Sequence, residues 1–291
     1  AEASKAVFGG GATITSAVTF TAASQALTFS KSSTLTGGGN FKGFAGTITV
    51  DSAAGNNTLT GALTTTTNNT GTLAITGGAN TVTIAKSVGS SGKALSAVTV
   101  ADSTGATFSE AVYANALTVG TGSATFNDAV TAAINLKGGT ITLADGKSIQ
   151  GAVDSTTGSG ALIVSGTSTI SGLVGNTAAL TSISAGAASN TATFSSAVKA
   201  TTITIGAGTA AFNGNVTGAV NIATNGGEVK LYAGGTITGA VDNTTGNPNQ
   251  GTLTFNGSGT VTAAIGNSNA LASIGLFNTS GATITLSGAV K

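Results

Sequence analysis

The sequence predicts an all-β fold of the β-solenoid type, similar to a parallel β-helix, and three observations support this prediction. Landmark phrases recur with a period near 90 residues. Short segments alternate between apolar residues and threonine, which is typical of strands with one buried face. Side chains are small, with 45 glycines and only 4% aromatic residues among 291. A coiled chain with a narrow core accounts for all three.

The period is read from one phrase that occurs four times, as GATIT, GATFS, TATFS and GATIT. Its second residue is Ala12, Ala106, Ala192 and Ala282, at intervals of 94, 86 and 90 residues. Repeats of this kind are the signature of stacked architectures. We therefore predict one continuous solenoid over 1–291, with copies at about 11–104, 105–190 and 191–280 and the start of a fourth at 281–291.

Strands are predicted where threonine alternates with aliphatic residues, because β-branched side chains suit a pleated, half-buried surface. The clearest segments are 47–50, 72–76, 81–85, 117–120, 202–206 and 252–257. Gly, Asn, Asp and Ser separate them, as in turns. Structural repeats of this kind start near 20 residues, so each 90-residue copy would form four or five coils. At the strand spacing of ~4.8 Å, roughly 13 to 15 coils would make up the chain.

The core is predicted to contain stacked phenylalanines, because one spacing recurs in two copies. Phe108 and Phe126 are 18 residues apart, and Phe194 and Phe212 repeat that spacing. We expect all four rings to be buried in columns, each ring above the next. Asn-Gly and Asp-Gly pairs also suit tight hairpins. Tandem antiparallel β-sandwiches therefore remain an alternative fold at this point.

Composition excludes several functions. The net charge is +1 and 7% of residues are charged, against roughly 25% in ordinary soluble domains. Such a chain has no basic patch for nucleic acid. Without His or Cys it cannot form Ser–His or Cys–His catalytic pairs or the usual zinc sites. No apolar run approaches the ~18 residues of a membrane-spanning helix. We expect no catalytic residue, no cofactor and no metal.

Two acids occupy equivalent positions in successive copies. Asp154 and Asp242 each end a GAVD phrase before a Thr-Thr-Gly turn, while Thr64 stands there in the first copy. A catalytic or calcium-binding carboxylate is one interpretation. A turn residue that bonds to nearby backbone is the simpler one. Lys199 and Lys291 are also equivalent and are expected to be exposed.

Several stretches are similar to the passenger repeats of rickettsial surface autotransporters of the outer membrane protein B type. They are GGTITLADGKSIQGAVD from Gly138, GTSTISGLVGNTAALTSI from Gly166 and GTLTFNGSGTVTAAIGNSNALASI from Gly251. This resemblance implies an exported β-solenoid displayed on the bacterial surface, serving as an adhesin or a coat. It also implies that the chain is a piece of such a passenger.

The functional prediction is a non-enzymatic extracellular or outer-surface protein, with a host or neighbouring-cell receptor as a possible partner. The alternative is a subunit that assembles with itself head to tail, and an enzyme ranks third. Head-to-tail assembly is suggested by the two ends, which carry nearly the same phrase. The predicted edges are Gly11, Ala12, Thr13, Ile14 and Thr15 at one end, and Gly281, Ala282, Thr283, Ile284 and Thr285 at the other. Unpaired strand edges invite another chain.

Overall fold

A computed structural model describes residues 4–101, 104–232, 234–277 and 281–291 of the chain. Within these ranges the structure contains 33 β-strands and no helix. The strands form parallel sheets stacked as a β-solenoid of about 13 turns. The chain separates into two compact units, Ala1–Thr142 and Leu143–Lys291, called unit 1 and unit 2 below.

The strands are short, as expected where the chain turns a corner every few residues. In chain order, those that begin in unit 1 are β1 Lys5–Phe8, β2 Thr13–Ile14, β3 Val18–Thr19, β4 Ala26–Ser30, β5 Thr34–Leu35, β6 Gly39–Asn40, β7 Thr47–Asp51, β8 Asn57–Leu59, β9 Leu63–Thr64, β10 Thr72–Thr76, β11 Thr81–Ile84, β12 Leu95–Val100, β13 Gly105–Phe108, β14 Val112–Val119, β15 Ser123–Phe126, β16 Val130–Leu136 and β17 Thr140–Leu143. Those of unit 2 are β18 Ser148–Gln150, β19 Val153–Ser155, β20 Ala161–Val164, β21 Ser168–Ile170, β22 Leu180–Ala185, β23 Thr191–Phe194, β24 Val198–Ile205, β25 Thr209–Phe212, β26 Val216–Ile222, β27 Glu228–Tyr232, β28 Gly235–Thr238, β29 Val241–Asn243, β30 Thr252–Asn256, β31 Gly259–Val261, β32 Ser273–Leu276 and β33 Ile284–Leu286.

Unit 1 has three sheets, so each coil has three sides. One sheet runs β1-β4-β7-β10-β12-β14-β16 and the second runs β2-β5-β8-β11-β13-β15-β17. The third begins as β3-β6-β9 and continues through parallel bridges from Leu63 to Val88 and from Val88 to Val112. Strand β14 serves two sides, with a register shift between Tyr113 and Ala116.

Unit 2 uses the same scheme. One sheet runs β18-β21-β23-β25-β27-β30-β32, and the other runs β20-β22-β24-β26-β28-β31-β33. Strand β26 spans a corner here, because Val216 pairs with Ile237 of β28 while Val220 pairs with Val241 of β29.

The ladders named above are parallel, so the alternative of antiparallel sandwiches is wrong. Parallel pairing needs a crossover between paired strands, and here one full coil of chain provides it. The Asp-Gly and Asn-Gly pairs therefore form corners between sides of a coil instead of hairpins. Gly146 and Gly226 adopt φ angles of 73° and 83°, a left-handed conformation that glycine adopts without steric cost.

The core follows from the alternation of threonine with aliphatic residues. In β7 the side chains of Ile48 and Val50 are fully buried, while Thr47 and Thr49 are half-exposed. In-register pairing puts Leu27, Ile48, Leu73 and Val98 on successive strands, all buried. Burial of such side chains stabilises each coil by roughly 1.5–3 kcal/mol per residue. The predicted β-solenoid fold is thereby confirmed.

Candidate functional site

The phenylalanines predicted to stack lie inside the coils. Phe108 of β13 pairs in register with Phe126 of β15, and their ring centroids are 5.0 Å apart with planes inclined by 15°. In unit 2, Phe194 and Phe212 stack at 5.1 Å and 13°. Each of the four side chains is at most 1% exposed. These residues form the interior and offer no surface to a partner.

Sequence reasoning missed two further ring pairs in unit 1. Phe8 stacks on Phe29 at 5.9 Å, and Phe20 stacks on Phe41 at 4.7 Å. The members of both pairs are 21 residues apart in the sequence. That shared spacing could have predicted the two pairs. It differs from the spacing of 18 residues because the corners of the coil vary in length.

The two predicted edges are each the last strand of a sheet within their own unit. Thr13 and Ile14 form β2 and pair with Thr34 and Leu35 of β5. Near the other end, Ile284 and Thr285 lie in β33 and pair with Gly259 and Thr260 of β31. Gly11 and Gly281, which begin the two phrases, both have positive φ angles of 77° and 81°. Residues 11–15 and 281–285 are exposed or half-exposed throughout.

Copies of the phrase that recurs every 90 residues or so do not always lie on the same side of the coil. In unit 1 the phrase lies on the same sheet both times, in β2 and in β13. In unit 2 it lies on different sheets, in β23 and in β33. Sequence-equivalent segments can occupy different sides because each side shows the same alternation of inward aliphatic and outward threonine residues. The three-copy organisation stays a prediction.

Asp154 and Asp242 bind turns in the following coil. The carboxylate of Asp154 accepts hydrogen bonds from the Thr177 N–H at 3.0 Å and the Thr177 hydroxyl at 2.6 Å. Asp242 accepts the same pair of bonds from Ser268. Burial would raise the pKa of Asp154, but the hydrogen bonds from Thr177, Ser155 and Ala178 outweigh it and lower that pKa. The carboxylates are thus occupied by backbone and hydroxyl groups.

The equivalent lysines bind the same turns from the next coil along. Lys199 Nζ donates to the Asn176 carbonyl at 3.3 Å, and Lys291 Nζ donates to the Asn267 carbonyl at 2.7 Å. Lys199 is half-exposed and Lys291 is exposed. Each Gly-Asn-Thr or Gly-Asn-Ser turn is therefore held between an acid and a lysine from neighbouring coils.

Three buried polar residues form hydrogen bonds to the loops that follow them, and the sequence did not predict this role. They are Thr65, Ser155 and Asn243, one residue after Thr64, Asp154 and Asp242. Asn243 donates from Nδ2 to the Asn247 and Ala270 carbonyls at 2.8 and 2.9 Å, and Oδ1 accepts from Thr245. Their equivalent positions in the repeat could have predicted a shared role.

The described part of the chain contains no cluster of three or more acids that could hold a metal ion. In the same residues, no helix has the length and hydrophobicity to cross a membrane. The fold and the turns define the chain as a β-solenoid repeat protein with a nearly uncharged surface.

The chain is similar to "Outer membrane protein A" of Rickettsia rickettsii, with 39% identity over 184 residues. The match covers 60% of this chain and 7% of that protein, so the chain spans a small part of its relative. No protein-family model and no solved structure matches the chain. The similarity supports a rickettsial surface protein, though not the outer membrane protein B type in particular, and indicates a cell-surface or outer-membrane location.

Proposed function

We propose that the chain is a non-enzymatic segment of a surface-displayed β-solenoid passenger, which acts as an adhesive or structural element outside the cell. The observation that carries the proposal is the similarity to an outer membrane protein over 60% of a solenoid in which Asp154 and Asp242 bind turns. Catalysis by paired carboxylates requires two acids that face a common substrate. Asp154 and Asp242 instead each accept hydrogen bonds from the turn beside them.

Surface display is tested on intact bacteria that produce the chain. Antibodies raised against the purified chain should label unpermeabilised cells, and brief protease treatment should remove that labelling. Labelling only after permeabilisation would contradict the proposal. Adhesion is then tested separately with beads coated with the chain or with an equal mass of albumin. Attachment of the chain-coated beads to host cells above the albumin level is the expected result.

Head-to-tail assembly is the second candidate, and the geometry of β2 favours it. The carbonyls of Ala12 and Ile14 accept hydrogen bonds from Thr34 and Thr36 at 2.8 Å. Successive residues of a strand direct their N–H and C=O groups to opposite sides, so those of Thr13 face the open edge. By the same alternation, Ile284 of β33 faces an open edge in unit 2, because the Thr283 carbonyl accepts from Gly259.

Light scattering at rising concentration tests this assembly. If copies pair through these edges, the average mass should rise with concentration, and Thr13→Pro should abolish the rise by removing an edge donor. Thr49→Pro cannot serve as the control, because Thr49 lies inside a ladder. Gly78→Ala is used as the control instead, because Gly78 has open space around it. A constant monomer mass at all concentrations would exclude this candidate.

A further inference from the structure

The sequence contains three Asn-Gly pairs, all in unit 2, at positions 213–214, 225–226 and 256–257. Such a pair can modify itself without an enzyme, because the glycine nitrogen can attack the side-chain carbonyl carbon of the asparagine before it. Glycine has no side chain to obstruct this approach. The asparagine side chain and the following peptide bond must rotate towards each other. The surroundings of each pair therefore determine whether it reacts.

The pair at 225–226 lies in the corner 223–227, between β26 and β27. This corner is two residues longer than the corner 206–208, which occupies the same place in the preceding coil. Backbone hydrogen bonds from the Ala223 and Glu228 N–H groups to that coil fasten the two ends, each at 2.9 Å. The residues between these two bonds extend beyond the shorter corner.

The middle of this corner has little contact with its surroundings. Residues 223–226 are exposed, and a turn hydrogen bond donated by Gly227 at 3.2 Å closes the corner. A Cβ added at Gly226 would lie 3.7 Å from the Ala207 carbonyl oxygen, which is an ordinary contact distance. Within the described part of the chain, neither the Asn225 side chain nor the Gly226 N–H makes a hydrogen bond. Both reacting groups are therefore available.

The other two pairs are held by neighbouring coils. A Cβ added at Gly214 would lie 2.7 Å from the Ala197 nitrogen, so this glycine is packed against the backbone of the preceding coil. Asn213 also donates its N–H to that coil at 2.9 Å. Asn256 ends β30, pairs in register with Tyr232 and precedes a buried glycine. Rotation at either pair requires local opening of the solenoid.

We propose that Asn225 is a site of spontaneous deamidation in the folded protein, while Asn213 and Asn256 are protected. The Gly226 nitrogen loses its proton to hydroxide and bonds to the side-chain carbonyl carbon of Asn225. The side-chain nitrogen takes a proton from water and leaves as ammonia, which regenerates hydroxide. The five-membered succinimide then takes up one water molecule and opens to aspartate or to isoaspartate. In isoaspartate the backbone passes through the side-chain methylene group.

The modification should change the surface and leave the fold intact. One new carboxylate lowers the formal net charge from +1 to 0. Isoaspartate also lengthens the backbone of the corner by one atom. The stacked coils already accept larger differences, because the corresponding corner has three residues at 206–208, five at 223–227 and eight at 244–251.

The test compares folded protein with protein unfolded in guanidinium chloride during incubation in mildly alkaline buffer. Trypsin cleaves after Lys199 and Lys230, so Asn213 and Asn225 lie on one peptide and are detected equally. Tandem mass spectrometry locates the mass gain of deamidation. In the folded chain Asn225 should react at least tenfold faster than Asn213 and Asn256, because only the latter two need local opening. In the unfolded chain the three rates should agree within about threefold, because glycine follows each asparagine.

Asn225→Gln is the matched variant, because its longer side chain would have to close a less favourable six-membered ring. It should remove the fast reaction and leave the slow reactions at Asn213 and Asn256 unchanged, with the same circular dichroism spectrum as the wild type. An isoaspartate methyltransferase supplied with labelled methyl donor should label the aged wild type far more than the aged variant.

Two outcomes would overturn the site. One is deamidation of Asn213 or Asn256 as fast as that of Asn225 in the folded chain. The other is an intact Asn225 in the folded chain under conditions in which the unfolded chain reacts. Neither outcome depends on where the protein is displayed, because the reaction needs only water and hydroxide.

Discussion

At the scale of single residues, the aromatic columns show why so few large side chains are enough. Phe194 and Phe212 come from neighbouring turns and fill the same narrow interior, with ring centroids 5.1 Å apart. Stacked rings in this range add about 0.5–1.5 kcal/mol beyond the burial of their area.

Phe194→Ala should lower the free energy of unfolding by about 3–5 kcal/mol, because it leaves a cavity that the neighbouring turns cannot close. Urea unfolding followed by circular dichroism measures the change. Phe277→Ala is the matched control, since Phe277 is 69% exposed and its loss should change stability by less than about 0.5 kcal/mol. Equal effects of the two substitutions would show that the ring column is not a source of stability.

Asp154 should make the stability of unit 2 depend on pH. Its pKa is lowered in the folded state, so its contribution is present above the unfolded value of about 3.9 and is lost as pH falls through the folded pKa. Thermal unfolding of the wild type and Asp154→Asn should therefore differ at pH 7 and converge in strong acid. A difference that persists unchanged to the lowest pH would contradict the role assigned to the carboxylate.

At the scale of elements, buried polar groups hold the loops between strands through hydrogen bonds. Asn243 is fully buried and its amide bonds to Asn247, Ala270 and Thr245. Asn243→Ala should cost about 1–3 kcal/mol, because the carbonyls it serves would be left unpaired. Hydrogen exchange in residues 244–250 should accelerate. Asn176→Ala, which removes an exposed side chain from a comparable turn, should leave both quantities nearly unchanged.

The corner glycines are a second determinant at this scale. Gly122→Ala places a methyl group 2.1 Å from the Thr104 carbonyl, so the backbone must move and stability should fall by about 1–3 kcal/mol. Gly78→Ala, at a glycine with open space around it and no positive φ, should be neutral or slightly stabilising. Differential scanning calorimetry of the two variants measures the contrast. Similar melting temperatures would show that the corner can relax without cost.

Much of the strand pattern could be predicted because it depends on local alternation. The predicted segment 72–76 is β10, and the segments 81–85 and 252–257 contain β11 and β30. The number of residues per coil could not be predicted, because it depends on corner lengths that vary from two residues at 151–152 upward. The buried polar residues were also missed, since Asn and Thr are so common in this sequence that neither stands out.

At the scale of the whole molecule, stacked coils contact mainly their neighbours, so a disturbance should stay local. Hydrogen exchange of the Gly122→Ala variant tests this expectation. Protection should decrease most in β14 and β15, on either side of the altered corner, and least in β30 and β31 of unit 2. A uniform loss of protection across both units would instead indicate one cooperative transition.

The low charge of the surface affects how whole molecules interact with one another. With a net charge of +1 and 7% charged residues, long-range repulsion between copies is weak. Hydroxyl and amide groups therefore dominate what the protein presents to its surroundings.

The mismatch between the 90-residue period and the sides of the coil has a consequence for the length of the chain. In unit 2 the same phrase folds as β23 on one sheet and as β33 on another, so neither sheet requires a sequence of its own. If one of the predicted copies of about 90 residues is deleted or duplicated, the segments downstream should take up a different side with their aliphatic residues still inward. The fold should therefore accept changes in chain length in steps of about 90 residues.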